Sequence, residues 1–258
     1  MTYLKNILKT HKLSRAALSV LVAVSILCSA FTMLATIPAS ADNNIWNGQV
    51  AATAPTDSDG DGWIEINNGA DLAYIIKNGG GAGNKYKLTA DIYLNDPTKI
   101  DWDTGVVADG YTANAWFDEW GTNKANDFQG TIDGDGYVIY GLYLEENKTP
   151  SYTAYHQGTG LISRIAENAI VTIINLGIDC AYLHHTNAAS AFVGAIHKDA
   201  SLIMENCYAG ADVTIKGHTA GVLFGYARNN QPTSFSATNC YSLATTVAAT
   251  GGTYGLVG

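Results

Sequence analysis

Basic charge is what this chain has least of. It contains three arginines, its 14 Lys+Arg are outweighed by 23 Asp+Glu, and charged residues make up only 14% of its 258 positions. A net charge of −9 offers no electrostatic footprint for a phosphate backbone, which excludes nucleic acid as the expected partner. Cysteine is also scarce. Of four cysteines, Cys28 falls in the leader described below, and Cys180, Cys207 and Cys240 are an odd number, too few for a disulfide scaffold in a chain this long. Periodicity for long helices is missing as well, whereas a hydrophobic content of 47% excludes disorder. The core must therefore come from packing short strands.

The few basic residues gather at the front. Lys5, Lys9, Lys12 and Arg15 precede residue 16, and no acid occurs before Asp42. Residues 16–41 form an uncharged, largely apolar run ending in Ala39-Ser40-Ala41, the small-residue pattern that signal peptidase reads. Residues 1–41 are therefore expected to be a secretory signal peptide, with an uncleaved membrane anchor as the alternative against which Asp42-Asn43-Asn44 argues. A lipid-anchor reading of Cys28 fails because Leu27 is bulky where a small residue is required. Membrane contact is expected only through this segment. The sequence from Asp42 onward holds every acidic side chain and lacks four of the basic ones, so the exported part is more acidic than the whole.

Internal repeats decide the architecture, and the second half contains one. Gly160-Leu161-Ile162-Ser163 recurs as Ala191-Phe192-Val193-Gly194, Val222-Leu223-Phe224-Gly225 and Gly255-Leu256-Val257-Gly258, with the last interval slightly longer than the first two. A second marker keeps the same register: Asn175-Leu176-Gly177, Asn206-Cys207-Tyr208 and Asn239-Cys240-Tyr241. Between the markers lie short alternating stretches such as Val171-Thr172-Ile173-Ile174 and Ser201-Leu202-Ile203-Met204. Three short strands per period cannot bury their own apolar face, so neighbouring periods must stack. The expected fold is all-β, a right-handed parallel β-helix of about 31-residue coils over residues 128–258. A blade-type propeller is the alternative, for which the period is short. In the β-helix, Asn175, Asn206 and Asn239 form a side-chain ladder at one corner, and Cys207 and Cys240 stack as small core residues that stay thiols.

Phe128-Gln129-Gly130-Thr131-Ile132-Asp133-Gly134-Asp135-Gly136-Tyr137-Val138-Ile139-Tyr140-Gly141-Leu142-Tyr143-Leu144, followed by the glycine-apolar-apolar-glycine and Asn-Cys-Tyr repeats, resembles the GLUG-motif proteins. These are exported bacterial surface proteins with a pectin-lyase-like right-handed β-helix. Ile45-Trp46-Asn47-Gly48 and the segment from Tyr86 to Ile92 look like the family's opening, so the resemblance spans roughly residues 45–258. The first repeat departs from the pattern, with Ser163 for glycine and Leu176 for cysteine. The resemblance implies a secreted or surface-attached protein of a Gram-positive-type bacterium. It also implies further coils, or a surface-attachment module, C-terminal to this sequence. No polar cap is legible between Asn229 and Gly258.

The front half reads differently. Asn68, with Asp71 three positions on, apolar residues 72, 75 and 76 and an Asn78-Gly79 stop predict a helix over 70–77. It would cap the first coil within a cap region of residues 42–95. Asp57, Asp59 and Asp61, with Gly62 at the sixth position, give the spacing of a calcium loop, but Asn68 stands where a bidentate Glu should close the shell. An acidic Gly-rich turn and a weak extracellular calcium site both remain open. Residues 96–127 form an insertion carrying Trp102, Tyr111, Trp116, Phe117 and Trp120 beside Asp101, Asp103, Asp118 and Glu119. Aromatic faces flanked by carboxylates suit stacking on sugars, so Trp102, Tyr111, Trp116, Trp120 and Asp118 are the candidate carbohydrate-binding residues, and deleting 98–124 is expected to leave the fold intact.

Catalysis finds little support in the repeats. Their acids are Glu167, Asp179, Asp199, Glu205 and Asp212, and no two occupy repeat-equivalent positions. His184, His185, His197 and His218 lack metal-ligand spacing and read as solvated loop positions. The expected function is a non-catalytic, adhesin-like or polysaccharide-binding scaffold, its partner an extracellular polysaccharide or a host or cell-wall glycan. The alternative is a β-helix polysaccharide lyase or glycoside hydrolase.

Overall fold

The protein is described by a computed structural model covering residues 44–116, 127–146, 158–227, 233–251 and 254–257. The leader, and with it the expected signal peptide, lies outside the described residues, as do Asp118 and Trp120. Ser40–Gly258 clusters as one unit.

Alternating apolar and polar residues make short strands, and every strand pairing recorded between them is parallel. Three sheets result. The first contains Ile64–Ile66, Gly80–Leu88, Gln129–Asp133, Ile170–Ile174, Ser201–Glu205 and Ser234–Thr238, in chain order. The second runs from Ile92–Tyr93 through Val138–Glu145 to Gly177–His184, then to the broken strands Tyr208–Ala209 with Val213–Gly217 and Tyr241–Ser242 with Thr246–Ala249. The third stacks Gly158–Thr159 and Ile162–Ile165 on Ala188–Ser190 and Val193–Ile196, then Thr219–Ala227 and Tyr254–Val257. From residue 158 on, each repeat thus lays one rung across all three sheets.

Register follows the sequence markers. Ile162 pairs with Val193 and Val193 with Phe224, while Thr172 pairs with Ile203 and Ile203 with Ser236. Because strand side chains alternate, Val171, Ile173, Leu202 and Met204 all point inward and are buried, whereas Ile203 between two of them is 41% exposed. Ile139, Ile178 and Ala209 from the second sheet and Leu161, Phe192 and Leu223 from the third close a single core. The repeated glycine has a steric cause. A Cβ on Gly194 would stand 2.5 Å from the carbonyl carbon of Gly158 and 2.6 Å from the amide nitrogen of Thr159.

The corners are set by left-handed residues. Asn175, Asn206 and Asn239 adopt φ of 53°, 54° and 54°, a conformation that Asn tolerates better than most side chains. The Asn206 amide donates to Asn175 Oδ1 at 3.0 Å, and Asn239 donates to Asn206 Oδ1 at 3.1 Å. Asn175 in turn donates to Asp133 Oδ1 at 3.0 Å, so a carboxylate terminates the ladder in the preceding rung. A second corner uses Asn168 and Asp199, at φ 60° and 55°, which stand at equivalent positions of successive repeats. At the front, helix α1 (Gly69–Lys77) starts where Asn68 Oδ1 accepts the Ala70 and Asp71 amides. Leu72, Ala73, Ile75 and Ile76 seal its face onto the core. Among the described residues no helix is long and apolar enough to cross a membrane.

Asn206→Ala removes both ladder bonds and leaves a Cβ-bearing residue without a polar side chain at φ 54°. It should cost about 1–2 kcal/mol, and Asn206→Gly, free of the backbone penalty, should cost less. Urea unfolding midpoints of the two variants check this; a smaller loss for Ala than for Gly would show that corner conformation is not limiting.

Candidate functional site

The outward face of the second sheet gathers the polar and aromatic chemistry. Tyr93 pairs with Tyr140 and their rings stack at 5.0 Å. Tyr208 pairs with Tyr241 and these stack at 5.3 Å, only 8° from parallel. Between the two pairs, Gly177 is the register partner of both Val138 and Tyr208. A Cβ there would fall 2.6 Å from the Tyr208 ring, so that ring lies across the glycine. Burial pushes the Tyr140 hydroxyl well above the usual tyrosine range, with Asp91, Tyr93, Tyr208 and Asp179 adding to the effect. Tyr241 remains 52% exposed and Tyr208 half-buried.

The repeat breaks its own register at this face. Ile178 pairs with Ala209, yet Ala181 pairs with Val213 rather than with Asp212, which an unbroken count would place opposite it. One extra residue is absorbed on the later strand, and Cys180 takes φ 50° on the shorter side. The bulge brings Asp179, Cys180 and Asp212 together, with their ligand atoms all within 4.8 Å of one another. Asp179 Oδ1 accepts the Cys180 amide at 2.9 Å and the Asp212 amide at 3.2 Å, and its carboxylate occupies the space above Gly210 that a side chain would need. Burial raises the Asp179 carboxyl above the ordinary range, and the Asp212 charge adds to this while the two amides oppose it. A search for repeat-equivalent acids misses this pair, because in strict register Asp179 faces Gly210 and Asp212 faces Ala181. The available signal is the longer interval of the next repeat, from Val222 to Gly255, which shows that the count is not uniform.

The insertion behaves otherwise than expected. Ile100 and Trp102 pack with Val107, Tyr111 and Ala113 against Cys180, Tyr182, Tyr140 and Tyr143. Trp102 is 6% exposed and donates its indole N–H to Pro97 O at 2.9 Å. Trp116, 2% exposed, donates to Leu161 O at 3.1 Å and meets Trp46 edge-on at 5.4 Å. Tyr111 donates its hydroxyl to Asn95 Oδ1 at 3.3 Å and accepts the Asp96 amide at 3.0 Å. Trp102 and Trp116 therefore present no ring face to a sugar, because their faces are spent on the protein itself. Removing 98–124 would uncover Cys180, Tyr182 and Trp46, so the expectation of an unaffected fold is corrected.

Other sequence candidates lie elsewhere in the structure. In the acidic loop, Asp57 accepts the Gly60 and Gly62 amides, and the Lys87 ammonium bridges Asp59 and Asp61, holding the Asp61 carboxyl below its usual range. Asn68, at the twelfth position, is committed to the cap of α1. Cys180, Cys207 and Cys240 are free thiols. Burial pushes the Cys207 thiol up to about 12, and it donates to Ile173 O and Glu205 O, each at 3.4 Å. Cys240 is half-buried and donates to Thr238 O. The histidines are not all solvated. His185 and His197 are each 3% exposed, His185 against Glu146 at 3.2 Å and His197 against Glu167 at 3.0 Å. Arg164, buried as well, is held by Asp127 at 2.6 Å.

No family model, no curated protein and no solved structure matches this chain.

Because Asp179 binds its proton more tightly folded than unfolded, its contribution to stability falls as pH rises from the unfolded carboxyl value near 4 through the raised folded value. Asp179→Asn keeps an acceptor oxygen for the two amides and removes the charge. Its unfolding midpoint in chelator should gain on the wild type between pH 4 and 7; an equal difference at both pH values would show that folding does not raise the carboxyl, and a loss that grows toward pH 7 would show that the folded site holds a stabilised carboxylate.

Proposed function

We propose that this chain is an exported right-handed parallel β-helix of the GLUG-motif kind, acting as a non-catalytic surface scaffold that binds polysaccharide. Three parallel sheets with strands in chain order support the fold reading, and parallel crossovers are right-handed in about 98% of cases. The basic, then uncharged leader supports export.

The observation that carries the binding reading is the Tyr208–Tyr241 stack, partly open to water and next to Asp179 and Asp212. Aromatic surface beside carboxylates meets a pyranose with C–H contacts and accepts its hydroxyl protons. Tyr208 and Tyr241 stand on adjacent rungs about 4.8 Å apart, so their rings line up along the axis, which suits a chain-like ligand. The acidic net charge favours a neutral or cationic glycan over a polyuronate.

A second reading rests on the Asp179–Asp212 pair. Two close carboxylates, one with a raised pKa, are the equipment of a glycoside hydrolase. Incubating the full chain with a polysaccharide panel separates the two: retention without product supports the scaffold, and new reducing ends support the hydrolase. Tyr241→Ala should weaken retention about five- to tenfold while leaving the unfolding midpoint nearly unchanged. Undiminished retention in a Tyr208→Ala/Tyr241→Ala double variant would overturn the assignment of this face.

A further inference from the structure

We propose that Asp179, Cys180 and Asp212 form a zinc site, a property that goes beyond glycan binding and engages two carboxylates of the same surface. Two carboxylates and a thiol place their ligand atoms within 4.8 Å of one another, a gap that small side-chain rotations close to the spacing set by Zn–S bonds of about 2.3 Å and Zn–O bonds of about 2.1 Å. Three protein ligands leave the fourth tetrahedral position to water. Asp179 and Asp212 are half-buried, so this position faces solvent, whereas Cys180 lies on the dry side under Trp102 and Ile100.

Two further observations point to a cation. First, Cys180 is completely buried, and among the described residues its thiol makes no hydrogen bond, although Cys207 and Cys240 both donate to carbonyls. Second, no lysine, arginine or histidine pairs with Asp179 or Asp212 among the described residues. The other close acid group, Asp59 with Asp61, has Lys87. Two half-buried carboxylates without a counter-cation are costly, and a divalent ion removes that cost. The thiol selects the metal. A hard ion such as calcium or magnesium gains nothing from sulfur, whereas zinc binds thiolate and carboxylate together. On binding, the S–H bond breaks, a Zn–S bond forms and one proton passes to the buffer, with no change of oxidation state.

The test uses the full chain, stripped with chelator and titrated with Zn²⁺ by calorimetry and with Co²⁺ by absorption. One equivalent of Zn²⁺ should bind with proton release, and Co²⁺ should give a near-ultraviolet thiolate charge-transfer band. Cys180→Ala should abolish the band and weaken Zn²⁺ binding at least about tenfold, and Asp212→Asn should weaken binding while keeping a sulfur ligand. The Asp212 variant decides the matter if the Cys180 variant does not fold, as judged by its unfolding transition. Unchanged affinity in the folded variants, absence of the cobalt band, or binding lost on Asp61→Asn instead would overturn the proposal.

Discussion

Stacking of equal rungs depends on the corner at Asn175, Asn206 and Asn239. A parallel pair of strands has no local turn to fix its register, so something must restart the count once per repeat. The left-handed backbone at these asparagines does so, because it can be satisfied only where the sequence puts a residue that tolerates it. Their side chains then bond one rung to the next. With the corner fixed, Ile173, Met204 and their neighbours cannot slip by one position without turning the core face outward. Glycine plays the complementary part in the third sheet, where Gly194 lets the backbone at Gly158 and Thr159 come close.

This constraint explains what is legible in the sequence. The period, the strand positions, the asparagine corner and helix α1 each depend on residue types repeating at fixed spacing or on local capping, and such signals survive in one dimension. The second corner at Asn168 and Asp199 follows the same rule but hides among ordinary polar turn residues. The insertion misleads because composition cannot say which way an aromatic faces. Trp102 and Trp116 have the flanking carboxylates of a sugar site, yet Asn95, through Asn114 O, Gly141 O and the Asn114 amide, pins the loop against the second sheet and turns the rings inward. His185 and His197 mislead for the same reason, since their acidic partners Glu146 and Glu167 lie in the preceding rung and become adjacent only after stacking.

The chemistry collects where the repeat is imperfect. A perfect rung at the second sheet would put a side chain at every outward position and leave no room beside it. Here Gly177 and Gly210 empty two of those positions, and Tyr208 and the Asp179 carboxylate lie across them. The extra residue between Ala209 and Val213 then moves Asp212 back alongside Asp179, and the left-handed Cys180 turns its thiol out of the strand alternation toward both. The insertion completes the arrangement by covering the sulfur and leaving the carboxylates half in water. Stacked parallel repeats gain stability from sameness between rungs, so a rung that departs from it forfeits some stacking. In the first sheet Ile170–Ile174 still pairs position for position with Ser201–Glu205, without a shift. On the second sheet, glycine, bulge and the left-handed Cys180 come together on the surface where half-buried acid and exposed tyrosine stand.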